Sequence, residues 1–188
     1  MTLEGLRTER LHLRRWREED RAVFHRLNSD EAVMAFFPFR RTRAESDAAM
    51  DLWNESLDRT GLQFLAAERQ ADGAVVGMIG LGGVEGAGYP FAPTVQIGWR
   101  LLPEVHGKGL ATEGARACLR HAFERLHLPE VVSYCVVENR ASEAVMRRIG
   151  LRLAGRFDHP SVDAQTHPHL VRHTLTRITA EEWHAANG

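Results

Sequence analysis

The 188-residue sequence predicts an α/β fold, a mixed and mostly antiparallel sheet of six to seven strands with helices on both faces. Three observations lead there. Two apolar runs joined by Asp72-Gly73 have the pattern of an antiparallel hairpin. Strand-like runs afterwards alternate with helical ones, and one long helical pattern repeats small and apolar residues at four-residue spacing. The length, with 44% hydrophobic residues, suits one sizeable core and leaves two ordinary domains cramped, so a single domain over 8–180 is expected.

Leu11-His12-Leu13-Arg14-Arg15-Trp16 alternates like a half-buried strand, and Glu18-Glu19-Asp20 supplies the acidic first turn of a helix. That helix is expected to reach Met34-Ala35-Phe36-Phe37, where Pro38 stops it. A second helix covers roughly 44–57, with Ala48, Leu52 and Leu57 near one face, and Gly61 closes it. The hairpin strands are 62–68 and 75–84; Glu85-Gly86-Ala87-Gly88-Tyr89-Pro90 is a loop, and a strand at 95–102 ends before Pro103. In the long helix Leu110, Gly114, Cys118, Ala122 and Leu126 recur every four residues, with Pro129 just beyond. A strand at 131–137, a helix at 140–149 stopped by Gly150, a strand at 151–157, a loop rich in Pro and His, and a strand at 170–178 complete the order.

Composition narrows the function. Charges of both signs are interspersed to a formal net charge of -1, a poor basis for general nucleic-acid binding. Arg40, Arg41 and Arg43 are followed closely by Glu45, Asp47 and Asp51, the composition of a solvated helix face. Two cysteines, Cys118 on an apolar helix face and Cys135 on a strand, make no disulfide framework. The N-terminal residues lack an apolar core of signal-peptide length, and no run approaches the ~20 apolar residues of a membrane span. A cytoplasmic protein without a membrane partner is therefore expected.

Between the fourth strand and the long helix lies His106-Gly107-Lys108-Gly109-Leu110-Ala111-Thr112. The first N–H groups of a helix have no partner within it and point into the preceding turn, where the helix dipole is positive. Glycine lets a ligand approach that backbone, and Lys108 adds a positive charge. A phosphate is the natural occupant, with a tight ligand-free loop as the alternative. Other phosphate motifs fit less well. Lys108 is followed by Gly109 where a P-loop needs Ser or Thr, and Thr112 stands where a dinucleotide fingerprint needs its third glycine. Gly80, Gly82 and Gly83 are followed by Val84 and Glu85, not by a helix start. Further on, Asn139 opens the next helix as its N-cap, and Ser142 shares its face three residues later.

Together these residues resemble the GCN5-related N-acetyltransferase (GNAT) superfamily, whose turn reads Gln or Arg, two residues, Gly, one residue, and Gly or Ala; His106 holds the first place here. The likeness is closer to the ribosomal-protein N-acetyltransferase branch, with Gly-Lys-Gly-Tyr-Ala-Thr-Glu in the turn and Asn-x-x-Ser in the later helix. It extends from Thr8-Glu9-Arg10-Leu11 through Ile97-Gly98-Trp99-Arg100-Leu101 to Arg172-His173. The resemblance implies acetyl-CoA as acyl donor and a splay between the fourth and fifth strands. The pantetheine arm would lie there, paired with backbone groups of Trp99, Arg100 and Leu101. The pyrophosphate would rest on the N–H groups of Gly107, Lys108, Gly109, Leu110, Ala111 and Thr112, with Asn139 near the thioester.

Transfer of an acetyl group to an amine needs a neutral nucleophile, donors for the developing oxyanion and a proton for the leaving thiolate. A strand N–H within 99–101 suits the oxyanion. Many family members place a tyrosine seven residues after the asparagine as the acid; here that residue is Met146, so the role falls to Ser142, as in the ribosomal branch. Where that branch usually carries Glu, two residues ahead of the strand glycine, this chain has Gln96. Tyr134 stands five residues before Asn139, where some N-terminal acetyltransferases place a glutamate, and a phenol near pKa ~10 relays a proton better than it takes one. His106, His159 and His173 stay open as bases. The expected acceptor is an amine of low pKa, an α-amine near ~8 on a small molecule or a protein N-terminus, and not a lysine near ~10.4.

By the same resemblance the first helices and the loop before the last strand line the acceptor site. Phe36, Phe37 and Phe39 are expected as buried packing, with the wall of an apolar pocket as the alternative. His159, His167, His169 and His173 read as a polar lip; without a cysteine among them, and with Pro160 and Pro168 in the loop, no metal is expected. Gln96 keeps one alternative open, a catalytically silent coenzyme A-binding regulatory module. A nucleotide-binding domain using the turn for another phosphate is opposed by Asn139 and Ser142. A homodimer is compatible with the reading.

Overall fold

The computed structural model describes residues 2–86 and 88–187, so Ala87 of the predicted 85–90 loop lies outside the described residues, as do Met1 and Gly188. The strands are β1 (Leu6–Arg7), β2 (Leu11–Arg14), β3 (Phe64–Arg69), β4 (Val75–Val84), β5 (Thr94–Leu101), β6 (Glu130–Val136), β7 (Arg152–Asp158) and β8 (Arg172–Thr179). They form one sheet in the order β1-β2-β3-β4-β5-β6-β8-β7. Neighbours are antiparallel except β5 and β6, which run parallel. The predicted class therefore holds, with β1 as an additional edge strand paired through Leu6↔Leu13.

The hairpin forms as expected. β3 and β4 pair through Leu65↔Ile79, and Gly73 turns with φ 71. The first helix is shorter than its apolar pattern suggested. After a 3-10 turn at Glu18–Asp20, α1 (Arg21–Ser29) stops well before Phe37. Asp30 takes extended backbone, and its carboxylate accepts the N–H groups of Ala32 and Val33 at 2.9 and 3.0 Å, so side-chain bonds replace the helical ladder there. α2 (Arg43–Thr60) is longer than predicted because Thr42 and Glu45 cap it reciprocally, and Gly61 ends it at φ 73.

α3 (Leu110–Glu124) and α4 (Arg140–Arg148) fall where expected. The last strand begins later than the predicted residue 170. Pro168, whose fixed φ suits a first helical position, opens a short α5 (Pro168–Val171), and β8 starts at Arg172. Beyond residue 180, α6 (Ala180–Asn187) stacks Trp183 on Phe123 with ring centroids 5.6 Å apart. Among the described residues no helix is long and apolar enough to cross a membrane.

Both faces of the sheet are buried. Trp16, Phe24, Leu27, Met50 and Met78 pack beneath α1 and α2. Leu65, Ile79, Ile97, Cys118, Leu119, Phe123 and Val131 pack on the α3 side. Each such side chain contributes roughly 1.5–3 kcal/mol when buried. α3 lies so close to β4 that a Cβ on Gly114 would sit 2.5 Å from Ile79 Cδ1. Packing this tight leaves little room for a ligand except where strands part, and they part between β5 and β6.

Candidate active site

β5 and β6 share one register pair, Gln96↔Val132, and then diverge. The last tie is Ser133 Oγ, which donates to the Ile97 carbonyl at 2.8 Å. Leu102 donates its N–H to Val76 O on the other side of β5. Because strand residues alternate, Gly98 and Arg100 turn their backbone groups toward β4, while Trp99 and Leu101 turn theirs into the gap. His106 Nε2 occupies the Leu101 carbonyl at 2.9 Å, which engages this histidine with the strand. A cleft of about 1500 Å³ fills the splay, bounded at one end by the turn before α3 and at the other by residues 36–39.

The turn is built by backbone conformation. Gly107 and Gly109 have φ 72 and 79, a left-handed geometry that side chains resist, although a Cβ at 107 would meet open space. Gly109 caps α3 without a side-chain bond, and the first intrahelical bond runs from Glu113 N to Gly109 O. The N–H groups of Leu110, Ala111 and Thr112 therefore have no helical partner, and all three residues line the cleft.

Distant residues brace this turn. The Glu113 carboxylate accepts Thr8 Oγ1 at 2.6 Å, Arg10 N at 2.8 Å and Arg10 Nε at 2.6 Å, while Arg10 Nη1 donates to the Lys108 carbonyl at 2.9 Å. Burial pushes the Glu113 carboxyl up, but these hydrogen bonds outweigh it and hold the group below the ordinary glutamate value. Lys108 itself is exposed and does not line the cleft; its contribution to the brace is its carbonyl. Arg116 and Arg120 line the cleft from α3 and form no ion pair among the described residues, so two cations face the same space as the free N–H groups.

Asn139 caps α4, its Oδ1 accepting Ser142 N at 3.1 Å. The cap uses the carbonyl half of the amide and brings Asn139 and Ser142 together on the cleft wall, as their spacing predicted. Cys135 lies beside them, its thiol pushed up to about 11 by burial, with the Ser142 hydroxyl pulling the other way. Met146 is buried in the core and does not line the cleft.

On the opposite face stand Gln96, Tyr134, His159 and His173. Burial, then neighbouring Tyr89, pushes the Tyr134 phenol above its ordinary value, so it stays protonated at neutrality. His159 accepts Ser161 N–H on Nδ1 at 3.2 Å, which leaves its own proton on Nε2, 3.3 Å from the Tyr89 hydroxyl. Burial, then His173, pushes His159 down to about 4. His173 is arranged differently. Its Nδ1 donates to Val171 O at 3.1 Å, so the neutral ring carries its lone pair on Nε2, which makes no hydrogen bond among the described residues. Burial lowers its pKa as well.

The aromatic residues are not the buried packing expected of them. Phe36 and Phe37 are half-buried, Phe39 is 40% exposed, and all three line the cleft. Asp30 ends α1 early; Met34 still reaches the core, while Phe36, Phe37, Pro38 and Phe39 line the cleft. Among the described residues no three His, Cys, Asp or Glu side chains gather as a metal ligand set. Free helix N–H groups with Arg116 and Arg120 suit phosphates, an unpaired strand edge suits an amide-bearing arm, and Asn139 with Ser142 borders the same space. These residues fit an acyl-coenzyme A.

Comparison with known proteins agrees. The acetyltransferase (GNAT) domain family matches residues 10–152. The chain is 32% identical over 186 residues to FsC-acetyl coenzyme A-N(2)-transacetylase of Aspergillus fumigatus, covering 95% of this chain and 77% of that protein. It is 28% identical over 146 residues to YdaF of Bacillus subtilis, a protein provisionally assigned as a ribosomal N-acetyltransferase, covering 74% of this chain and 76% of the other. The crystal structure of a GNAT-family acetyltransferase from Bacillus anthracis superposes with a TM-score of 0.76 at 25% identity, covering 94% and 98% of the two chains.

Proposed function

This chain belongs to the GNAT acetyltransferase family, and from that membership we propose that its acetyl-CoA-dependent N-acetyltransfer ends on an α-amine, carried by a small molecule or a protein N-terminus. One observation carries the choice of amine. Among the described residues the acceptor face of the splay holds no carboxylate: the two that line the cleft, Glu9 and Glu113, lie toward the turn, and Glu113 is committed to Thr8 and Arg10. Gln96, a protonated Tyr134 and two imidazoles with lowered pKa cannot strip an ammonium ion efficiently. The nucleophile must arrive neutral. Near pH 7.5 an amine of pKa ~8 has on the order of a hundredfold more neutral form than one of ~10.4.

Bound acetyl-CoA supplies the thioester, whose C–S bond breaks as the amine nitrogen forms the new C–N bond. The chain's residues divide the remaining work. Gly107, Gly109, Leu110, Ala111 and Thr112 hold the phosphates through N–H groups, with Arg116 and Arg120 adding charge. The Trp99 N–H, facing the gap, is the oxyanion donor. His173 Nε2 accepts the proton released by the nitrogen, and Val171 O holds that tautomer. Ser142 gives a proton to the departing thiolate, with the Tyr134 phenol as second donor, and Asn139 positions Ser142. On this reading His173 takes the role that Gln96 cannot.

Thiol release measured over an amine panel tests the proposal. Peptide N-termini or small α-amines are expected to react at least about tenfold faster than lysine side chains at pH 7.5, from the neutral fractions alone. Acetylation of lysine side chains with α-amines ignored would overturn it.

A further inference from the structure

Arg100 is the unexplained charge of the cleft. Its backbone faces β4, and its side chain lies on the α1 face of the sheet, where Nη1 donates to Leu27 O at 3.1 Å and to Asn28 Oδ1 at 3.0 Å. The guanidinium carbon sits 4.2 Å from the centre of the Phe37 ring. Nε is buried without a partner, and Nη2 makes no hydrogen bond among the described residues. Those two nitrogens share one edge of the guanidinium plane, the fork that matches the two oxygens of a carboxylate.

Arg14 shows how this chain treats a buried guanidinium elsewhere. It is 4% exposed, and its nitrogens meet Asp20 at 2.6 and 3.1 Å and Glu68 at 2.6 Å. Arg100 has no carboxylate within ion-pair distance among the described residues. The charge that bears on it is a second cation, Arg41, which stacks on Phe39 at 4.8 Å and shares the same Asn28 oxygen at 3.5 Å. Burial, then Arg41, pushes Arg100 down to about 9, still a cation at neutral pH. One neutral amide oxygen thus serves two guanidiniums, and a half-buried charge whose Nε has no partner is costly unless an anion completes it.

We propose that the free Nε and Nη2 edge of Arg100, backed by Arg41 and walled by Phe37, binds a carboxylate of the amine acceptor. The proposal rests on the α-amine reading and narrows it to acceptors that carry an anionic group. A polycationic amine would meet repulsion at this wall. The carboxylate is either the α-carboxylate of a free amino acid, whose own negative charge raises its amine above the ~8 of a chain terminus, or an acidic side chain near a peptide N-terminus, and both offer the fork the same pair of oxygens.

Two matched pairs of acceptors separate these sources: a free amino acid against its amide, and Ala-Glu amide against Ala-Gln amide. Thiol release is measured for each and expressed as kcat/KM per neutral amine. In at least one pair the carboxylate member is expected to lead by about tenfold or more, the scale of a bidentate charge-assisted contact. Arg100→Gln is expected to bring that ratio to within about threefold of unity, and Arg41→Gln to lower it partway. If Arg100→Gln does not fold, Arg100→Lys, which keeps the charge and loses the fork, is expected to lower the ratio partway. Equal rates within both pairs, or a ratio indifferent to these substitutions, would overturn the anion site and leave the α-amine reading standing. No thiol release from any amine would overturn both.

Discussion

The two sides of the splay are made of different materials. The donor side is backbone: free N–H groups at the start of α3, two glycines with positive φ, and a strand edge turned to the gap. The acceptor side is side chain: Phe36, Phe37, Phe39, Arg100, Tyr134 and His173, gathered from separate elements. A site built chiefly of backbone, with Arg116 and Arg120 adding charge, suits what every acyl-coenzyme A shares, so it depends on conformation more than on any one side chain. On the proposed reading the side-chain site selects the amine, and each of its contacts can be altered singly.

Breaking the donor side should have the largest effect. Gly107→Val with Gly109→Val forces two branched residues into left-handed backbone at roughly 1–2 kcal/mol each or more. Acetyl-CoA affinity, read by calorimetric titration, is expected to fall about 100-fold. A change under about threefold would mean that the turn does not need this geometry and that the backbone account is wrong.

A smaller effect sharpens the boundary between the sides. Ser142→Ala is expected to lower turnover about 30-fold, less than the loss of a sole proton donor because the Tyr134 phenol can still donate, while acetyl-CoA affinity changes far less. The check is kcat beside direct titration of the donor. Unchanged turnover would remove Ser142 as the acid and leave Tyr134 in that place.

The same contrast explains what could be read from the sequence. The donor side was legible because its signal is local: Gly107 and Gly109 between a strand and a helix, and Asn139 three residues before Ser142. Strand and helix periodicities likewise placed most of the sheet. The acceptor side and the brace were not legible, because Arg10 meets Glu113 and Arg100 meets Asn28 across long stretches of chain with no shared local pattern. Two misses did have local signals. Asp30 with its bonds to Ala32 and Val33 is a turn former that ends α1, and Thr179 with Glu182 is a capping pattern that starts α6. Apolar periodicity alone passed over both.

The pH profile of kcat/KM on an α-amine tests the central claim most directly, since it asks whether the acceptor side contributes a base that titrates near neutrality. Tyr134, with its pKa raised, stays protonated between pH 6 and 9; His159, lowered to about 4, stays neutral there, and burial holds His173 below its ordinary value. The rate is therefore expected to climb through the pKa of the amine itself, near ~8, and to shift with that pKa when the acceptor is exchanged. An inflection between pH 6 and 7 that stays in place for every acceptor would contradict the account.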